Sequence, residues 1–123
     1  PPFAPLGEFV TASEPQNVPQ WILFVAAHGA NAIAEELTMR SFLLVRLQRL
    51  FDSTFAAILV STGVFASYHI WQGPAGVASA LVAGLVFATL FLITKRLWIP
   101  VLVHAMYNVS LTLFPMILDS LDR

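Results

Sequence analysis

The stretch STFAAILVSTGVFASYHIWQGPAGVASALVAGLVFATLFLIT, residues 53–94, contains no Asp, Glu, Lys or Arg. The only side chain in it that titrates near neutral pH is that of His69. The dipeptide Gly73-Pro74 divides the stretch into two apolar halves, because glycine and proline punctuate regular structure. Consecutive apolar runs separated by such a break indicate helices that span a membrane.

The composition of the whole chain supports the same interpretation. Of its 123 residues 58% are hydrophobic and 11% charged, against roughly 25% charged in an ordinary soluble domain. The mean hydropathy is +0.78. A buried helical bundle of a soluble protein is the alternative, but four such helices would leave no polar outer face. We therefore predict a single all-α domain, a polytopic membrane bundle of about four transmembrane helices.

Charge, cysteine content and the N-terminus narrow the classes of protein further. The net charge of −1 does not favour a nucleic-acid partner. The absence of cysteine excludes disulfides, zinc–thiolate sites and a cysteine nucleophile. The chain begins Pro1-Pro2-Phe3, without an initiator Met or a signal-peptide pattern, so we expect it to be part of a longer protein.

Prolines and capping residues divide the chain into segments. Residues 1–18 contain four prolines and are expected to be irregular or to lie at the membrane interface. Residues 19–118 are predicted to form the membrane-embedded core, and residues 119–123 a C-terminal tail. Asp52 or Ser53 can cap the second helix, and Pro100 and Pro115 are expected to interrupt the fourth. The predicted helices cover residues 19–50, 54–70, 74–94 and 97–118.

The distribution of charge predicts how the bundle lies in the membrane. If the four helices alternate in direction, the basic residues near the helix ends share one membrane face, and Asp119 and Asp122 lie at the other. Basic loops are usually cytoplasmic, so we expect an integral protein of the plasma membrane with this face inside the cell. The basic residues concerned are Arg46, Arg49, Lys95 and Arg96.

Small residues recur every four positions along the third predicted helix. They are Gly76, Ala80, Gly84 and Ala88. A stripe of this kind lets two helix backbones approach closely in lipid, and we expect it to serve packing and no chemistry.

The first polar group inside the apolar core is Glu35-Glu36, followed by Arg40. Adjacent helical residues point about 100° apart, so the two carboxylates cannot share one role. Glu36 and Arg40 are four residues apart and are predicted to form an ion pair. Glu35 then has no cation nearby in its own helix, and an uncompensated carboxylate at membrane depth costs several kcal/mol. The alternative is a purely structural ion-pair network.

Two further pairs of residues lie four positions apart on later helices. Phe65 and His69 end the second predicted helix, and His104 and Asn108 lie in the fourth. Counted from the basic face, Glu35 and His69 both lie roughly 20–25 Å deep at 1.5 Å per residue. Ionisable groups that converge inside a membrane indicate a functional site. His28, two turns before Glu35 on the same face, could line the approach to the site, and we interpret it as a supporting or structural residue.

Together these motifs resemble the CPBP family, the CAAX-protease and bacteriocin-processing intramembrane endopeptidases, also called Abi. The resemblance covers about residues 30–118, and this chain would be a partial core of the larger family fold. The connecting stretches HIWQGPAG and LWIPVLVHAMYN are also similar to the family's sequences. The motifs are E-E-x-x-x-R at residues 35–40, F-x-x-x-H at residues 65–69 and H-x-x-x-N at residues 104–108.

The resemblance implies a catalytic role for four side chains. Glu35 and His69 would activate a water molecule for attack on a peptide carbonyl. His104 and Asn108 would stabilise the oxyanion that forms, which agrees with the need of acyl transfer for prearranged hydrogen-bond donors.

The resemblance also implies supporting residues and a class of substrate. Glu36 and Arg40 would hold the first helix in place, and Phe65 would support the site. The substrate would be a peptide or protein reached from the lipid bilayer, such as a prenylated CAAX protein or a bacteriocin leader peptide. No feature of the sequence predicts an oligomeric state.

Three alternatives remain open at the level of sequence. Glu35, His69 and His104 could form a two-His, one-carboxylate zinc site, although H-E-x-x-H is absent and we expect no cofactor. Glu and His inside a membrane can also relay protons in a transporter. The third alternative is a non-catalytic membrane scaffold.

Overall fold

The computed structural model describes residues 14–122, and over that range it contains helices and turns but no strand. The predicted N-terminal segment therefore lies mostly outside the described residues. The elements are α1 (Val18–Glu36), a π-helix (Leu37–Leu44), α2 (Val45–Phe51), α3 (Thr54–Ser67), a 3₁₀ turn (Ile70–Gln72), α4 (Gly73–Thr94) and α5 (Trp98–Leu121). The predicted all-α fold of four main helices is confirmed, because α1, the π-helix and α2 follow one another without a break.

Capping residues mark both ends of the long first helix, which comprises α1, the π-helix and α2. The side chain of Asn17 accepts a hydrogen bond from the backbone N–H of Gln20 at 3.0 Å, and Pro19 fits the first turn. Asp52 ends the helix in the left-handed conformation, with φ of 48°. The π-helix starts directly after Glu36, and π-helical segments are frequent at functional sites.

The second main helix, α3, is shorter than predicted. The side chain of Ser53 caps it, accepting from the N–H of Ala56 at 3.2 Å. The helix ends at Ser67 rather than at residue 70 because the chain must reverse before α4. His69 consequently lies in a turn, and the reversal is completed at Gly73, whose φ of 77° is accessible chiefly to glycine.

The last helix, α5, is continuous, so the predicted interruptions at Pro100 and Pro115 are wrong. Pro100 lies in the first turn, where the missing N–H has no partner within the helix. Pro115 is accommodated inside the helix, as neighbouring groups allow in membrane helices. Residues 119–121, predicted as tail, are helical up to Leu121.

The helices pack so that α5 contacts both α1 and α4, while α3 contacts α4, the π-helix and α2. On α4, Ala80, Gly84 and Ala88 are buried. A Cβ atom at Gly84 would lie 3.1 Å from a ring carbon of Phe65 and 3.2 Å from a methyl group of Thr62. The small-residue stripe is therefore a packing surface, as predicted, and it brings α4 close to α3.

Two segments of the described chain are long and apolar enough to cross a membrane, Ile70–Thr94 and Trp98–Leu121. Most of each segment is exposed, unlike the core helix of a soluble protein. Thr54–Ser67 is also apolar but shorter. Large exposed apolar surfaces require lipid or a partner to cover them, which agrees with a membrane-embedded bundle.

Candidate active site

A fully buried ionic cluster links the long first helix to α5. The side chains of Glu36 and Arg40 are 0% exposed and that of His104 is 3% exposed. Nδ1 of His104 lies 2.9 Å from Oε1 of Glu36. Nε of Arg40 lies 3.0 Å from Oε2 of Glu36, so the predicted ion pair is present. The Nε–H of Arg40 makes no hydrogen bond to this oxygen, so the contact between the two groups is electrostatic.

The guanidinium group of Arg40 is surrounded by aromatic rings. Its central carbon lies 5.1 Å from the ring centre of Phe65 and 5.9 Å from that of Phe87. Within residues 14–122 its two terminal nitrogens have no hydrogen-bond partner and are buried. The charge of Arg40 is therefore balanced mainly by Glu36 and by the two ring faces.

His104 is the residue that joins the two glutamates. A carboxylate only accepts hydrogen bonds, so Nδ1 of His104 donates to Glu36. Its other nitrogen, Nε2, lies 3.5 Å from Oε2 of Glu35. The ring of Phe87 stacks on the imidazole, with ring centres 4.6 Å apart and planes 21° apart. Both ring nitrogens of His104 consequently face a carboxylate.

Glu35 is in a different environment from Glu36. Its side chain is 31% exposed, and its Oε1 accepts a hydrogen bond from Nδ2 of Asn31 at 2.9 Å. Its Oε2 is buried beside His104 and has no hydrogen-bond partner among the described residues. The partner that Glu35 lacks in its own helix is therefore the imidazole of His104, from α5.

A small cavity of about 60 Å³ opens beside His104. It is large enough for a few water molecules. His69 reaches it from the turn after α3, where its Nδ1 is hydrogen-bonded to the carbonyl of Phe65 at 3.0 Å. The polar side chains that line the cavity are His69, Gln72, Ser79, His104, Tyr107 and Asn108.

An apolar groove of about 390 Å³ runs next to this cavity between α4 and α5. The groove and the cavity share four lining residues: Ser79, Ala83, Phe87 and Tyr107. The rest of the groove is lined by Val82, Val86 and Val103. A polar cavity thus continues into an apolar surface.

The structure brings most of the predicted site residues together. Phe65, His69, His104 and Asn108 all line the cavity. Glu35 does not line it but lies next to it through His104. In the described part of the chain no hydrogen bond or ion pair joins Glu35 to His69.

His28 and the alternative zinc site concern the surroundings of Glu35. The ring of His28 lies 4.3 Å from that of Phe24 on its own helix, and no hydrogen bond or ion pair joins it to Glu35 among the described residues. Over residues 14–122, no three His, Asp or Glu side chains are grouped so that they could hold a metal ion.

Two residues of the site were not predicted. Asn31 lies four residues before Glu35 and is a polar residue in an apolar helix, so its position was a usable signal. Phe87 contacts both Arg40 and His104, but an aromatic residue in an apolar span carries no signal of such a role. Only the packing of α4 against its neighbours identifies it.

Comparison with known proteins adds one finding. A family model described as type II CAAX prenyl endopeptidase Rce1-like matches residues 17–110, which include all the residues of the three motifs. No curated protein matches the chain, and no solved structure does.

Proposed function

Because the chain belongs to the Rce1-like family of type II CAAX prenyl endopeptidases, a family of membrane-embedded proteases, we propose that it cleaves a peptide bond at the cavity beside His104. One observation carries this proposal. His104 contacts both glutamates of the first motif and lines the same cavity as His69 and Asn108. Residues from three separate elements therefore meet where a substrate carbonyl and a water molecule could be held.

In the first step Glu35 acts as the general base. Its Oε2 takes a proton from a water molecule, and the water oxygen forms a bond to the carbonyl carbon of the substrate. His69 holds this water from the other side of the cavity. Its Nδ1 is already engaged by the carbonyl of Phe65, which leaves Nε2 for the water.

The developing oxyanion is stabilised by His104 and Asn108. In its protonated form His104 carries an N–H on Nε2 as well as on Nδ1, with Nδ1 directed at Glu36 and Nε2 at Glu35. As Glu35 takes the proton it loses its charge, so the Nε2–H of His104 turns to the oxyanion. Collapse of the intermediate breaks the C–N bond, and the proton on Glu35 passes to the leaving amine.

We propose a prenylated CAAX-type substrate on the basis of the apolar groove. The groove is continuous with the cavity and could hold an isoprenoid chain beside the bond that is cut. The protein would lie in the plasma membrane with its basic loops cytoplasmic, the side on which prenylated proteins are found. A leader-peptide substrate would not need the groove.

The central test compares Glu35→Gln with the wild type in proteoliposomes, using a fluorogenic prenylated CAAX peptide. We expect kcat to fall by roughly 10²–10⁴-fold, the usual contribution of a general base. Glu14→Gln is the control, since Glu14 is exposed and far from the motifs in sequence. Unchanged cleavage by Glu35→Gln would overturn the proposal, and a proton flux that needs Glu35 without any cleavage would favour the transporter alternative.

The same preparation tests the zinc-dependent alternative. Bound metal is measured in wild type and in His69→Ala, and cleavage is measured after chelation. Stoichiometric zinc that is lost from His69→Ala, together with inactivation by the chelator, would support a metal mechanism. Cleavage that survives chelation would support Glu35 and His69 acting on water directly.

The substrate class is tested by narrowing the groove. Val82→Trp is expected to raise KM for a farnesylated peptide by about tenfold, with little effect on an unprenylated one, because the indole would occupy space needed by the lipid. Leu85→Trp, on the same helix but outside the groove, is the control. Equal effects on both peptides would contradict the assignment of the groove.

A further inference from the structure

We propose that Asn31 is a positioning residue, which holds the carboxylate of Glu35 so that one oxygen faces His104 beside the catalytic cavity. The inference rests on the proposed role of Glu35 as the base. Asn31 lies in none of the three motifs that define the site.

The two oxygens of Glu35 have different partners. Oε1 accepts the hydrogen bond from Nδ2 of Asn31 at 2.9 Å, and Oε2 is buried 3.5 Å from Nε2 of His104. Without the bond from Asn31 neither oxygen of Glu35 would have a hydrogen-bond partner among the described residues, and the carboxylate could rotate about its side-chain torsions. The bond from Asn31 restricts that rotation and leaves Oε2 without a donor.

The position of Asn31 in the membrane supports this role. Counted from Arg49 at the basic end, as for Glu35, it lies roughly 27 Å along the helix at 1.5 Å per residue, and its side chain is exposed on the outside of an apolar bundle. An amide there is costly unless its hydrogen-bonding groups are used. A pair four residues apart on one helix face is the geometry in which Asn31 can reach Glu35.

The charged and titratable groups around Glu35 are few. On its own long helix these are Glu36 and Arg40, and from α5 it is His104, which contacts both glutamates. His69 faces the same cavity from the turn after α3. Asn31 is the one neutral side chain that donates directly to Glu35 among the described residues.

The experiment measures kcat, KM and the pH profile of three variants of the full chain in proteoliposomes. Asn31→Leu removes the donor and is expected to lower kcat about tenfold with KM changed less than about twofold. Asn31→Gln can still donate and should restore most of kcat. Thr38→Val is the control, because Thr38 is exposed on the same long helix and its hydroxyl donates only to the carbonyl of Ala34.

A further variant, Asn31→Asp, gives the readout that a merely structural role would not change. At pH 8 two carboxylates would face each other, and kcat should fall at least as far as in Asn31→Leu. As the pH is lowered towards 5, the introduced carboxyl group takes up a proton and can donate to Glu35. The ratio of variant to wild-type kcat should therefore rise as the pH falls.

The outcomes separate this inference from the proposed function. Full activity of Asn31→Leu beside an inactive Glu35→Gln overturns the role of Asn31 alone. A pH-independent ratio for Asn31→Asp overturns it as well. Activity that survives in Glu35→Gln overturns the proposed function and the role of Asn31 with it.

Discussion

Glu35 and Glu36 are neighbours in sequence, yet the fold gives them opposite environments. Glu36 is fully buried and faces both Arg40 and His104. Glu35 is 31% exposed, and one of its oxygens has no hydrogen-bond partner among the described residues. Glu36 therefore links the first helix to α5 inside the bundle, whereas Glu35 lies nearer its surface.

The difference arises from the packing of α5 rather than from the two residues themselves. The 100° between adjacent helical positions turns one side chain into the bundle and the other towards its edge. His104 meets both, with one ring nitrogen for each. The proposed mechanism depends on this division, because Glu35 can act as the base only through an oxygen that no hydrogen-bond donor occupies.

The largest effect on stability is expected from replacing Glu36, the fully buried glutamate. Glu36→Leu leaves Arg40 and His104 in the bundle without their carboxylate. Removing one partner of a buried ion pair costs about 3–5 kcal/mol. The free energy of unfolding, measured by titration with SDS in mixed micelles, should fall by that amount.

The matched control is the double variant Glu36→Leu/Arg40→Leu, in which no unpaired guanidinium remains. It should recover most of the stability that Glu36→Leu loses. A single Glu36→Leu variant as stable as wild type would show that Glu36 is not the structural member of the two. If Glu35→Gln and Glu36→Leu lower the free energy of unfolding equally, the two glutamates do not differ in structural role.

A substitution in the cavity, next to Glu35, should lower activity and leave stability almost unchanged. Asn108 is only partly buried and lines the cavity. Asn108→Ala removes one proposed oxyanion donor, which typically costs about 10²–10³-fold in kcat, while unfolding should change by less than about 0.5 kcal/mol. Ser110→Ala is the control, since Ser110 is exposed on the same helix and bonds to the carbonyl of Tyr107. If Asn108→Ala lowers the free energy of unfolding as much as Glu36→Leu does, Asn108 has a structural role instead.

The sequence was sufficient for the number of main helices, for the ion pair of Glu36 with Arg40 and, through the family motifs, for the grouping of His69 with Asn108. Each of these follows from short-range spacing or from a motif. It was not sufficient for the partners of His104, because a hydrogen bond from α5 to α1 depends on how two distant helices rotate against each other. The end of α3 was also mispredicted, since the turn at Gly73 depends on a positive φ that a glycine permits but does not require.

The smallest expected effect on stability is that of Phe87→Leu, a variant that tests how far the surroundings of Glu35 and Glu36 are separate. Its ring stacks on His104 and faces Arg40, so it supports the Glu36 side of the cluster. Phe87→Leu keeps an apolar side chain but loses these ring contacts, at a cost of about 0.5–1.5 kcal/mol in unfolding. Phe91→Leu is the control, because Phe91 lies one turn further along α4 in a different apolar cluster.

Phe87→Leu is informative because its effects on stability and on kcat can be compared. If the ring only packs, Phe87→Leu should lower stability and leave kcat within about threefold of wild type. If the ring also fixes the plane of His104, the imidazole can turn away from Glu35, and the loss in kcat should exceed that of Phe91→Leu at equal stability. A double-mutant cycle with Glu36→Gln tests the link, because a shared support for His104 predicts non-additive losses whereas separate supports predict additive ones.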